Sequence, residues 1–534
     1  MHRPAVVLVA VLAAAGALAL GPQAQVGSTP FDLLIVNARL IDGSGNPWRR
    51  ADVGVRGDRI AAVGRLAGAP SRRLIDAGDR VVAPGFIDVH SHALDGLTRA
   101  ELRAGAPLLL QGVTTVVGNP DGGGPVNLGE QREALASDGG IGVNAALLIG
   151  HGSVRRAVIG GGNRQPSSQD LDRMRAIVRQ AVEDGAFGLS SGLFYTPGRF
   201  AGIDEVIALA REAGGVYASH IRDEGTYDAG LLPSVDEVIR VAETAGVTGI
   251  VTHVKALGPD SWGQSRAIVG RIEAARARGV DVWADQYPYN ASSTSLAAAL
   301  MPGETTEAAR EAMAGPESRA RFLALVRENI RRRGGSRATV IASGAGAPGL
   351  AGQNLETIAT ARGVSAEQAA VDIVLAGGAS IVSFNMSDAD VDVLMRQPWT
   401  MASSDGGLTL PGPSRPHPRN NGAFARRLNV YVRERGVLRL EDAIRGATSL
   451  SAHVFGLADR GEVRPGAFAD LAVFSPDRVR DRATFESPHE LAAGMDWVIV
   501  NGIVAVDEGA ATLARAGRIL KRAAPAGTPG GGQR

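Results

Sequence analysis

From Phe86 to Asp459 the chain alternates short, unbroken apolar runs with longer stretches whose apolar positions recur every three to four residues. Runs such as VTTVVG, VNAALLIG, FGLSSG, VYASH, GIVTHV, VDVWAD and TMASSD have the length of buried strands. Stretches such as LDRMRAIVRQAVEDG and IDEVIALAREAG, lying between several of them, have the period of amphipathic helices. That alternation is the signature of an α/β fold with a parallel sheet. With close to eight runs in a segment longer than the ~250 residues typical of a closed barrel, it predicts a (β/α)8 TIM-like barrel over residues 86–460, carrying an insertion. Residues 291–337 interrupt the alternation with charged helical sequence (ETTEAAREAMAG, ESRARFLALVRENIRRR) and are expected to form an inserted lid segment.

The two ends read differently. Residues 28–85 show short apolar alternations broken by glycine-containing turns (LLIVNARLIDGSG, ADVGVRGDRIAAVG), and residues 461–534 repeat that texture (GEVRPGAFADLAVFSP, WVIVNGIVAVDEG). A small β-sandwich domain formed from both chain ends is predicted. Residues 1–25 combine a charged start (His2, Arg3), an apolar run from Ala5 to Leu20 and small residues near Ala24, the layout of a signal peptide. The run is short and alanine-rich for a membrane anchor. Export to the periplasm or medium is expected, with no membrane span left after signal removal and an uncleaved anchor as the alternative.

Composition narrows the chemistry. A chain of 534 residues, 45% hydrophobic, is long enough for at least two structural units. The net charge of +1, with acids and bases interspersed, leaves no footprint for nucleic acid or an anionic membrane, so a small-molecule partner is expected. With no cysteine, thiolate ligands and cysteine nucleophiles are excluded. Only Lys255 and Lys521 are lysines among 56 basic residues, so Lys255 stands where arginine would otherwise be written.

The polar residues fall at informative places. His90 and His92 end FIDVHSH, spaced by two so that both point to one face of a strand. His220 ends VYASH, His253 ends GIVTH, and Asp405 ends TMASSD. In a parallel barrel the carboxyl ends of the strands meet at one mouth, where these five residues would converge. Imidazoles and a carboxylate are ligands that zinc accepts, and a site with open positions can activate water.

The ordered series APGFIDVHSH, QGVTTVVGN, SSGLFYTPG, SHIRDEG, THVKALG, DQYPYNASST, HPRNNGAF and ATSLSAHVFGLADRGEVRPGAFADLAVF, running from about Phe31 to Val506, resembles the amidohydrolase superfamily in its N-acyl-D-amino-acid deacylase (D-aminoacylase) branch. The resemblance implies a metal-dependent hydrolase that splits N-acyl-D-amino acids into a D-amino acid and a carboxylate. It implies that His90 and His92 form one half of a metal site and His220 and His253 the other, with Asp405 beside both as general acid/base. It assigns the substrate carboxylate to Tyr195, Lys255, Tyr287 and Arg419. Arg415 competes with Arg419, which the HPR context favours. His151 matches a further segment of the family without a role attached.

One departure bears on the metal. Where the family resemblance leads one to expect Gly-Asn-Cys-Gly after the second strand, this chain has Gly118-Asn119-Pro120-Asp121-Gly122. Asp121 is expected to replace the thiolate ligand, although Pro-Asp-Gly is also a turn signal. A carboxylate makes the site harder, so the cofactor is a divalent metal, zinc foremost with manganese or cobalt as alternatives, in one or two ions. The same barrel also serves cyclic amidases of the dihydroorotase or hydantoinase kind and dipeptidases. A metal-free, non-catalytic binding protein is the alternative from another class.

Overall fold

The structure, a computed structural model, describes residues 29–522. The leader expected over residues 1–25 lies outside them. Among the described residues no helix is long and apolar enough to cross a membrane.

Eight parallel strands form the barrel: Phe86–Asp88, Val113–Gly118, Asn144–Leu147 continuing as Ile149–Gly150, Gly188–Gly192, Val216–His220, Thr248–Val251, Val282–Gln286 and Thr400–Ala402. The third strand joins two arcs of the sheet, pairing with the second strand through its first half and with the fourth through its second. The ring closes between eighth and first: the Asp405 N–H donates to His90 O at 2.9 Å, and Gly406–Gly407 pairs with Ser91–His92.

Successive residues on these strands point to opposite sides, and the apolar ones sort accordingly. Val117, Ala146, Ala218, Ile250 and Met401 cluster with the helix Ser449–Phe455. Val116, Ala145, Leu147, Leu189, Tyr217 and Val251 pack outward against the surrounding helices. The helix Ser168–Glu183 shows how sequence starts such an element. Ser167 and Asp170 form a reciprocal capping box, and Met174, Val178 and Ala181, spaced four and three apart, are buried.

Two boundaries differ from the sequence reading. The inserted segment does not stop at 337. Ser292–Ser295, Thr339–Ser343 and Ser380–Ser383 form an antiparallel sheet, and five helices pack on it around a separate core that includes Leu300, Val326, Ile341, Leu355 and Ile381. TVIAS and SIVS are apolar runs of strand length, which periodicity alone cannot tell from barrel strands. At the ends of the chain, five strands between Phe31 and Pro84 join four between Leu471 and Ala511 in one nine-stranded sheet. The described part of the tail leaves that sheet. After Ala511 it runs beneath the barrel, where Ala145 N–H donates to Arg518 O and Leu520 N–H to Ala145 O. Its polar sequence carries no period that would show this.

Candidate metal centre

The five strand-end residues converge as expected, but most reach the mouth from just past their strands. The first strand ends at Asp88, the sixth at Val251 and the eighth at Ala402, so His90, His253 and Asp405 stand two or three residues beyond. Asp121, His253 and Asp405 hold left-handed backbone at φ 55°, 35° and 50°, a conformation that costs energy in non-glycine residues and is found where side chains must be aimed. Asp88, wholly buried, fixes the closure. Its carboxylate accepts from Ser404 N–H (2.8 Å) and Ser404 Oγ–H (2.5 Å). Burial pushes its carboxyl up to about 6 against those bonds.

Asp121 occupies the middle of the site. Its Oδ1 lies 3.3 Å from His90 Nε2, 3.4 Å from His253 Nε2 and 3.7 Å from His220 Nδ1, while Oδ2 lies 3.4 Å from His92 Nε2. Asp405 Oδ1 is 3.3 Å from His92 Nε2 and 3.7 Å from His90 Nε2. In a tetrahedral shell with bonds of 2.0–2.1 Å, neighbouring ligand atoms stand about 3.4 Å apart. His90 Nε2, His220 Nδ1 and Asp121 Oδ1 are buried without a hydrogen-bond partner, which is costly unless something else takes their lone pairs. The residues therefore fit a metal: His90, His92, Asp121 and Asp405 form one candidate group, Asp121, His220 and His253 the other.

The Pro-Asp-Gly turn and the ligand reading of Asp121 coexist, because the turn drops the carboxylate into the barrel. The turn is pinned by Ser190 Oγ, which donates to Asn119 O and accepts from Gly122 N–H. Asn119 and Gln131 exchange reciprocal amide bonds behind it. Gly192 lets the loop in: a Cβ there would sit 2.2 Å from Asp121 O.

Charge around the centre is negative enough to hold cations. Burial opposes a charge on His253, as does the Lys255 ammonium, yet the Glu224 and Asp121 carboxylates push its imidazole up to about 10. Against the same desolvation, Asp121 and Asp405 push His92 up to about 9. His220 goes the other way, to about 4, because burial dominates there. Burial would raise the Asp405 carboxyl, but the Arg419 guanidinium, 2.7 Å from its Oδ2, and His92 hold it well below the usual range.

A cavity of about 410 Å3 opens over this centre, lined by His92, Asp121, His220, His253, Asp405 and all four expected substrate residues, Tyr195, Lys255, Tyr287 and Arg419. Tyr195 OH bonds Thr294 Oγ1 (3.1 Å). The Arg419 guanidinium stacks over Tyr287 at 4.9 Å, and the Arg419 backbone N–H donates to His417 Nδ1. Arg415 lies elsewhere, against Gly352, away from the cavity. His151 is also outside it, buried in an ion cluster with Glu205 (2.9 Å) and Arg155. Glu205→Ala leaves Arg155 buried and unpaired, and is expected to cost about 3–5 kcal/mol, read as a lower Tm. An unchanged Tm would refute that role.

Two cavity residues were missed in the sequence. Glu224 sits behind His253, 3.0 Å from its Nδ1, and is paired with Lys255 Nζ. Its signal was present in SHIRDEG, four residues after His220. Arg333 lines the cavity from the inserted unit, donating to Ser383 Oγ, Tyr227 OH and Ser292 Oγ at 3.0–3.2 Å. It ends a run of three arginines, RRRGG, that reads as a solvated charge cluster.

The amidohydrolase family profile matches residues 73–218 and 306–506. The chain is 38% identical to a D-aminoacylase of Alcaligenes xylosoxydans xylosoxydans, over 94% of this chain and 99% of the relative. It belongs to the amidohydrolase family, in its D-aminoacylase branch. An N-acyl-D-glutamate deacylase of the same organism is 39% identical over 93% of this chain and 98% of its own. Among solved amidohydrolases, a D-aminoacylase studied for the role of its binuclear metal centre superposes with a TM-score of 0.79 at 37% identity, covering 92% of this chain and all of that one. The N-acyl-D-glutamate deacylase of Bordetella bronchiseptica, complexed with zinc and a phosphonate inhibitor, gives 0.79 at 34%, over 93% of this chain and all of its own. A D-hydantoinase from Thermus sp., at 18% identity and a TM-score of 0.54, shares the fold alone.

Proposed function

We propose that this amidohydrolase is a metal-dependent N-acyl-D-amino-acid deacylase, releasing a D-amino acid and a carboxylate. The observation that carries the reading is the convergence of four imidazoles and Asp121 below a cavity that also presents Asp405, Lys255, Arg333 and Arg419. A divalent ion held by His90, His92, Asp121, His220 and His253, zinc foremost and in one or two copies, supplies Lewis acidity toward the amide carbonyl and makes water more acidic. The chain's own groups do the rest. Asp405 Oδ1 faces the histidines while Oδ2 is tethered to Arg419, so one oxygen is left to take a proton from the attacking water. Returning that proton to the leaving nitrogen frees the amine, which is why one carboxylate serves as both base and acid. Glu224 and Lys255 brace His253 from behind.

The stereochemistry and the free α-carboxylate of the substrate are supported by the relatives and by the cations of the cavity. Lys255 pairs with Glu224 and Arg419 with Asp405. Among the described residues, the Arg333 guanidinium has only neutral hydrogen-bond partners, so its charge is left for a substrate carboxylate, with Tyr195 and Tyr287 nearby on the wall. Arg333→Met is expected to raise KM for N-acetyl-D-amino acids about 10-fold or more with a smaller change in kcat, the pattern of lost ground-state binding. Unchanged KM would remove Arg333 from the substrate seat.

A panel of N-acetyl-D- and N-acetyl-L-amino acids, hydantoin and dihydroorotate, assayed with Zn, Mn and Co supplied separately, tests the function. Turnover of the D-series is expected. Turnover of the rings without the linear D-series would replace this reading with the cyclic amidase one. The charged start and apolar run of residues 1–25 support export, and a mature N-terminus near residue 26 in the periplasmic or secreted fraction is the matching check.

A further inference from the structure

At the opposite end of the barrel from the metal centre, a second cavity of about 430 Å3 opens below the first residue of the eighth strand, Thr400. Four arginines line it, Arg396, Arg427, Arg439 and Arg445, against a single carboxylate, Asp442. That carboxylate is committed, since Arg439 holds it in a bidentate pair at 2.7 and 2.8 Å. Arg445 donates to Pro398 O and Arg396 to Val437 O, which occupies donors but neutralises no charge.

Arg427 is the unusual member. Its side chain is 3% exposed, and Nε and Nη1 are buried with no hydrogen-bond partner. Among the described residues no carboxylate offsets its burial, which alone draws its pKa down to about 10. The fold makes room for its head: a Cβ on Gly446 would meet Arg427 Nη2 at 2.9 Å and Thr400 O at 3.3 Å. Leaving a guanidinium buried, charged and short of acceptors is costly, whereas an oxygen-rich anion in the cavity beside Gly446 would supply the countercharge and an acceptor for Nη2.

We propose that this cavity is an oxyanion-binding site centred on Arg427, with Arg396 and Arg445 at its edge. Its ligand is a small oxyanion whose oxygens accept from the guanidinium, either a tetrahedral ion such as phosphate or a carboxylate such as the acid released by an amidase. The site lies under the strand that leads to Asp405, outside the catalytic cavity, and does not depend on which amide is cleaved.

The test uses the metal-loaded full chain. Thermal unfolding is followed for wild type and Arg427→Met in phosphate, acetate and chloride at matched ionic strength, and crystals are soaked in selenate. Because phosphate can also meet the metal centre, the difference between the two proteins is the readout. In chloride, Arg427→Met is expected to be at least as stable as wild type, since a buried uncompensated charge is gone. Phosphate or acetate is expected to raise the wild-type Tm by about 2 °C more than that of the variant. A response to phosphate alone assigns a tetrahedral anion, and one to acetate alone a carboxylate. Selenate is expected to give an anomalous peak within hydrogen-bond distance of Arg427, which stands as evidence if the variant does not fold. Equal shifts in both proteins together with no selenate peak beside Arg427 would overturn the site and leave the cavity to water.

Discussion

Asp405→Asn is expected to lower kcat by about 10²–10⁴-fold while leaving bound metal close to the wild-type level. The amide keeps the shape of the side chain and an oxygen that can face His90 and His92, now 3.7 and 3.3 Å from Asp405 Oδ1, but cannot accept a proton from water at neutral pH. Loss of the negative charge also releases Arg419, whose Nη1 sits 2.7 Å from Oδ2, so KM is expected to change less than kcat and in either direction. The four imidazoles and Asp121 remain, which separates this variant from one that strips the centre. Steady-state kinetics with N-acetyl-D-amino acids, paired with metal content by mass spectrometry, checks it. A variant that keeps its metal and more than a tenth of its turnover would show that Asp405 is not the proton carrier.

Much of this site could be read from residue type and position because barrel topology does the assembling. A histidine or aspartate at the end of an apolar run is carried to the mouth by the parallel strands, so His90, His92, His220, His253 and Asp405 could be collected without any contact information. The details were less legible where backbone departs from regular structure. The φ of 35° at His253 and 50° at Asp405, which aim those side chains, leave no periodic trace. Glu224 and Arg333 depend on contacts between distant segments: Glu224 gains meaning only from Lys255, 31 positions on, and Arg333 only from an inserted unit folding back over the mouth. That unit could not be bounded from the sequence, since its strands Thr339–Ser343 and Ser380–Ser383 look locally like those of the barrel.

The second large effect concerns Asp121. Its two oxygens are shared between the halves of the centre, Oδ1 toward His90, His220 and His253 and Oδ2 toward His92, so removing it withdraws an acceptor from both at once. Asp121→Ala is therefore expected to lower metal affinity by about 10²-fold or more and to abolish turnover at micromolar metal, more than the 10–100-fold that loss of an outer partner usually costs. Asp121→Cys separates ligand from turn. The left-handed φ of 55° at this position burdens cysteine more than aspartate, so some stability is lost, yet a thiolate there should favour zinc over manganese relative to wild type. Competition titrations with Zn, Mn and Co on wild type and both variants measure this directly. If Asp121→Ala holds metal as tightly as wild type, Asp121 is only a turn residue. If Asp121→Cys leaves the zinc-to-manganese ratio unmoved, the carboxylate at this position does not set the metal preference.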